Sequence, residues 1–132
     1  MSNLVKGTIQ SSVGGKVVFC PLGSNYELEL VSSKVDLKPG DEVNGVVSAK
    51  ARKVWTIAAG GGFIQPLHGE MRVLQGRVVG VEGKTIIVQA GGPRVCLELP
   101  EDPAALDLKN GALTVGALVN VTLFPGASLA VA

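Results

Sequence analysis

Val5-Lys6-Gly7-Thr8-Ile9, which opens onto Gly14-Gly15-Lys16-Val17-Val18-Phe19, is written a second time as Leu74-Gln75-Gly76-Arg77-Val78 opening onto Gly83-Lys84-Thr85-Ile86-Ile87. The echo continues in the same order. Tyr26-Glu27-Leu28-Glu29-Leu30 is answered by Val95-Cys96-Leu97-Glu98-Leu99, and Pro39-Gly40-Asp41-Glu42-Val43-Asn44 by Val115-Gly116-Ala117-Leu118-Val119-Asn120. The offset grows from 69 (7 to 76) to 76 (40 to 116), so the second copy carries extra residues late in the unit. A unit of about 55 residues used twice reads as two very small domains rather than one ordinary one.

Each copy reads as five strands. Eighteen glycines and seven prolines punctuate short runs rich in Val, Ile, Leu and Thr, and no window keeps apolar residues at helical spacing beyond a turn or two. Tyr26, Leu28 and Leu30 alternate with Glu27 and Glu29, the period of a strand with one face buried and one wet. Val95, Leu97 and Leu99 alternate with Cys96 and Glu98 in the same way. The strands fall at roughly 4–12, 16–21, 26–31, 42–50 and 53–59 in the first copy, and at 73–82, 84–90, 94–99, 117–124 and 127–132 in the second. A three-stranded meander, a connection and two more strands is the order of a small barrel. Closure answers a physical need, because so short a sheet left open exposes two edges and much of its apolar surface.

Turn chemistry agrees. Gly14-Gly15 and Glu82-Gly83 supply the positive φ of tight hairpins, and Leu22-Gly23-Ser24-Asn25 and Gly91-Gly92-Pro93 suit slightly longer ones. In the second copy the connection from Pro100 to Leu108 has room for one helical turn, with Asp102 as cap and Pro103 at its first position. The run Gly60-Gly61-Gly62 reads as a linker, yet Phe63, Ile64 and Leu67 follow it closely, so the segment is expected to pack against the domains rather than float. The domain organisation is therefore residues 1–59, a packed glycine-rich linker at 60–71, and residues 72–132.

Composition excludes several function classes. A net charge of +1 with 17% charged residues gives no global field for polyanions. The N-terminus lacks a secretory apolar stretch, and no run approaches the roughly 18 apolar residues of a spanning helix; the expectation is a cytoplasmic protein with no membrane partner. Cys20 and Cys96 fall at non-equivalent places in the two copies, unlike a duplicated disulfide framework. With one histidine, His68, and two distant cysteines, neither a metal site of about three or four ligands nor a catalytic set is expected. No cofactor is expected either. Glu27 and Glu29 read as a solvated strand face rather than an acid/base pair.

The order of elements, with Gly-x-Val near the start of each unit and Gly-x-x-Val before its last hairpin, resembles the oligonucleotide/oligosaccharide-binding (OB) class of small barrels. Within that class the chain is similar to the tandem molybdate-binding barrels called molbindins and the related barrels appended to ABC-transporter ATPases. Molbindins open with Ser-Ala-Arg-Asn, where this chain has Ser2-Asn3-Leu4 and Glu70-Met71-Arg72. Their Lys-Ala-Thr or Lys-Ala-Ser step is matched only by Lys50-Ala51-Arg52, with Pro125-Gly126-Ala127-Ser128 in the second copy. The resemblance thus implies two tandem five-stranded OB-like barrels without the molybdate signature.

The function expected is a non-enzymatic binding or assembly module that takes a small, anionic ligand or a protein partner at a barrel or subunit interface, with a homo-oligomer among the outcomes. Lys50, Arg52, Lys53, His68 and Arg72 are the candidate binding residues, the first three close together in sequence where the fourth expected strand gives way to the fifth and the last two beside the junction. The alternative is single-stranded nucleic-acid binding by the first barrel, which offers Phe19, Tyr26 and Trp55 for stacking and seven basic residues against five acidic up to residue 60. The second barrel argues against it: Ile87 and Val95 stand where aromatics are needed, and from residue 61 five basic residues face six acidic ones. Tyr26 alternates in phase with Leu28 and Leu30, which turns it toward the core.

Overall fold

The computed structural model describes residues 3–132; Met1 and Ser2, part of the first expected domain and of its opening motif, lie outside them. The chain is all-β, and its strands join one mixed sheet. They are β1 (Val5–Val13), β2 (Lys16–Pro21), β3 (Glu27–Ser32), β4 (Glu42–Thr56), β5 (Phe63–Gln65), β6 (His68–Gly69), β7 (Val73–Glu82), β8 (Thr85–Gln89), β9 (Arg94–Glu98), β10 (Leu106–Asp107), β11 (Leu118–Leu123) and β12 (Ser128–Val131). A 3-10 turn at Pro103–Ala105 precedes β10, capped by the Asp102 carboxylate, which accepts from the Ala104 N–H at 2.9 Å. The cap is the one the sequence prescribes.

Hydrogen-bonded neighbours close on themselves twice. β1 pairs β2, β2 pairs β3, β3 pairs β12, β12 pairs β4, and β4 returns to β1. Likewise β7 pairs β8, β8 pairs β9, β9 pairs β4, β4 pairs β11, and β11 returns to β7. β4 belongs to both circuits: residues 42–48 serve the first and residues 47–56 the second. β12 lies after residue 72 yet completes the circuit built from residues 5–48, so pairing crosses the linker in both directions.

The expected strands at 42–50 and 53–59 are one strand of 15 residues. Nothing in Ala49-Lys50-Ala51-Arg52 supplies a turn, so the chain runs on. The register with β11 passes from Lys53, opposite Thr122, to Ala51, opposite Leu123, so Arg52 is the extra residue of a bulge on β4. There the buried positions of β4 change phase, from Val47, Ala49 and Ala51 to Val54 and Thr56, while Arg52 and Lys53 both face water. One strand thereby feeds a buried face to each circuit.

Corresponding positions of the two halves make matching hydrogen bonds. Gly40 donates to the Ile9 carbonyl at 2.7 Å, and Gly116 to the Val78 carbonyl at 2.8 Å. Ile9 N–H bonds the Asp41 carbonyl and Val78 N–H the Ala117 carbonyl, each at 2.9 Å. The bulges between Ile9 and Ser11 and between Val78 and Gly80 match at the same offset. Gly7 and Gly76 are both required to be bare, because a Cβ at either would run into a backbone carbonyl of the next strand, that of Cys20 or of Gln89. One correction concerns the third strands. Phe19 pairs with Leu28 and Val88 with Val95, so Leu28 answers Val95 and Leu30 answers Leu97. The shift of two residues is one strand period, which leaves the buried face unchanged.

One core runs through both circuits. Phe19, Leu28 and Val47 are fully buried in it together with Val54, Leu97 and Leu129. The linker is held down as expected, but not by all three apolar side chains. β5 pairs with β7 and β6 with β3, Ile64 is buried, Phe63 is half-buried, and Leu67 is 48% exposed. Leu67 is carried outward because its carbonyl turns in to accept from Glu27 N–H at 3.0 Å. Among the described residues no helix is long and apolar enough to cross a membrane.

Candidate functional site

The candidate cations fall into three neighbourhoods. Lys50 is the first. It lies at the middle of β4, where the parallel partner β9 places Cys96 beside Ser48 and Glu98 beside Lys50. On the other flank β12 brings Ser128 opposite Ser48. Together with Thr85 of β8 and the Pro125-Gly126 step, these residues line a cleft of about 460 Å³ to which both circuits contribute. The cleft owes its shape to a break in a ladder: between the pairs Leu123 with Ala51 and Ser128 with Ser48, residues 124–127 oppose only Ala49 and Lys50. Lys50 and three hydroxyl-bearing residues line it, a set that suits a small oxygen-bearing anion, while the Glu98 carboxylate opposes a highly charged one.

Arg52 and Arg72 form the second neighbourhood. Both line a cleft of about 420 Å³ with Glu70, Met71, Thr122 and Pro125. Lys53 points elsewhere, with its ammonium 5.2 Å from the centre of the Trp55 ring. That contact covers an aromatic face that stacking on a base would need. Lys50, Arg52 and Lys53 are therefore neighbours in sequence that serve different surfaces, because the bulge rotates the strand between them.

The third neighbourhood is the junction. Tyr26 is buried, and its hydroxyl accepts from the Ile64 N–H at 3.0 Å, tying the linker to the start of β3. Tyr26, Phe63, Ile64, Gln65, Pro66, Leu67, Arg72 and Val73 line an open groove of about 820 Å³. At the back of Tyr26 a polar recess is formed by Gln10, Cys20, Asn25, Glu27 and His68. His68 Nε2 lies 2.9 Å from Glu27 Oε2, an arrangement that fastens β6 to β3 at a partly exposed site. Arg72 lies at the divide between the groove and the Arg52 cleft. Its side chain has no ion-pair partner among the described residues.

Both cysteines are free and half-buried. Burial pushes the Cys20 and Cys96 thiols up, helped by the nearby carboxylates of Glu27 and Glu82 respectively, so neither is primed as a nucleophile. Among the described residues no three His, Cys, Asp or Glu side chains are placed to hold a metal. Phe19 is fully buried and Tyr26 nearly so, which removes two of the three aromatics a single strand would stack on.

Sequence reasoning named Lys50, Arg52, Lys53, His68 and Arg72 as candidates but did not name what stands beside them. Ser48, Thr85 and Ser128 reach one cleft from three strands far apart in sequence, and no spacing announces that. The groove at the junction had a signal, since Phe63 and Leu67 sit in a stretch where solvated chain has no use for them. Searches against family models, curated proteins and solved structures found no match to this chain.

Proposed function

We propose that the chain is a non-enzymatic binding module made of two five-stranded OB-like barrels, one per closed circuit, and that it binds a small anion at the seam between them. The barrels exchange their last strands: β12 completes the first, and the second half of β4 completes the second. The exchange makes the pair one rigid body, so groups contributed by both barrels keep a fixed spacing, as a binding site requires. The observation that carries the reading is the seam cleft, which Lys50 lines together with Ser48, Thr85 and Ser128 from both circuits. The resemblance to transporter-associated and molybdate-binding barrels supports the same class of ligand, with a different set of contacting groups.

Thermal denaturation in the presence of sulfate, phosphate and molybdate, each measured separately, tests this. A ligand at 100 times its dissociation constant stabilises by about 2.7 kcal/mol, so a rise of several degrees with at least one anion is expected, and Lys50→Glu should abolish it. A melting temperature indifferent to all three, or a rise that survives Lys50→Glu, would refute the seam as the site.

A further inference from the structure

The junction groove carries a different ligand chemistry from the seam. Its surface is apolar, contributed by Phe63, Pro66, Leu67 and Val73, and Leu67 stays 48% exposed although it sits on a segment otherwise fastened down. An exposed leucine alone means little, but here it forms one wall of a recess of about 820 Å³, within the size range of small-molecule sites. Arg72 is the sole charged side chain on the lining, and its guanidinium has no ion-pair partner among the described residues. The backbone around the groove is already engaged. Ile64 N–H goes to the Tyr26 hydroxyl, Arg72 N–H to the Gln65 carbonyl, and Glu27 N–H to the Leu67 carbonyl. An added peptide strand would need such groups free; a small molecule would not.

We infer that the groove binds a small amphipathic acid, its apolar body against Phe63 and Leu67 and its carboxylate on the Arg72 guanidinium. Charge complementarity selects the acid, and the occupied backbone selects a small molecule over an extended peptide. The site does not depend on the seam: loss of oxyanion binding there leaves this inference standing, and its failure leaves the seam reading standing.

The probe is 8-anilinonaphthalene-1-sulfonate, whose fluorescence rises in apolar surroundings, followed by competition with decanoate, decanol and a Val/Thr-rich hexapeptide. The expected result is saturable one-to-one enhancement that decanoate displaces, with decanol about three- to tenfold weaker because it lacks the charge. Arg72→Gln should remove that preference, Leu67→Asp should weaken the probe and decanoate together, and Lys109→Glu, a remote charge change, should alter neither. Both Arg72 and Leu67 are exposed enough that the variants fold, which an unchanged thermal transition verifies. Non-saturable fluorescence, equal competition by decanol and decanoate, displacement by the hexapeptide alone, or indifference to Arg72→Gln would each overturn the inference.

Discussion

The two halves of the chain make the same crossing by different routes. In the first, β4 runs from Glu42 to Thr56 without interruption and passes from one circuit into the other. In the second, β11 stops at Leu123 and the chain resumes as β12 at Ser128, still antiparallel to β4 and still entering the opposite circuit. Pro125 cannot donate to a ladder, and Gly126 has φ +97°, so residues 124–127 leave the pairing without changing direction. Phe124 N–H still reaches the Lys50 carbonyl at 2.9 Å and the Ala127 carbonyl still accepts from Val31, which pins both ends of the break. The crossing therefore belongs to the pairing scheme that both halves share, not to the residues that link the strands. What the break adds is space, because Pro125 lines both clefts at the middle of β4.

The strongest way to probe the equivalence of the units is through their matched core residues. Leu30 and Leu97 are almost completely buried at corresponding positions. Each truncated to Ala should cost about 2–5 kcal/mol, and because one core joins the circuits, each should lower a single cooperative transition seen by calorimetry. Two separate transitions, only one of them moved, would mean that the circuits fold independently.

Next in size is the break itself. Gly126→Ala forces a Cβ into a left-handed conformation and should destabilise by roughly 1–3 kcal/mol in denaturant unfolding, whereas Ala51→Val, at the middle of β4, tests packing alone. Tyr26→Phe sharpens a second contrast. The first unit has Tyr26 where the second has Pro93, so only the first unit ties down the linker through a hydroxyl. Removing it strands the buried Ile64 N–H at a cost of about 1–3 kcal/mol, with faster amide exchange at Ile64 as the direct readout. The smallest effect belongs to His68→Ala. It breaks a contact at a side chain that is 60% exposed and should shift stability by no more than about 1 kcal/mol.

Much of this was legible in the residues. Alternation about Leu28 and Leu97, paired glycines at the hairpins and the Asp102-Pro103 cap are local signals, and local structure follows them. The route of the last strand in each unit was not legible, because a strand that folds back and one that crosses over use the same residues. Even so, Ala49-Lys50-Ala51-Arg52 holds no Gly, Pro, Asn or Asp, and that absence of turn chemistry is itself a reason for the strand to continue. The third-strand offset slipped by two because the pattern has period two, so burial alone cannot see the difference. Leu67 misled for another reason: its backbone, not its side chain, is the part that anchors the linker. For the candidate cations Lys50, Arg52 and Lys53 the sequence suggested a break between two strands, where the structure has one strand whose bulge sends Arg52 and Lys53 to different surfaces.

Cutting the linker tests the exchanged strands most directly. Gly61 is exposed with open space at the position of a Cβ, whereas Gly60 and Gly62 are packed against Gln75 and Gly91, so a protease site is inserted at Gly61 and an unchanged thermal transition verifies that the uncut chain folds. After cleavage, each half still holds a strand that the other circuit needs. Native mass spectrometry and size exclusion should show the halves as a one-to-one complex that separates only in denaturant, and neither half should show a cooperative thermal transition alone. Two halves that part on dilution and each melt cooperatively as folded monomers would contradict the exchange.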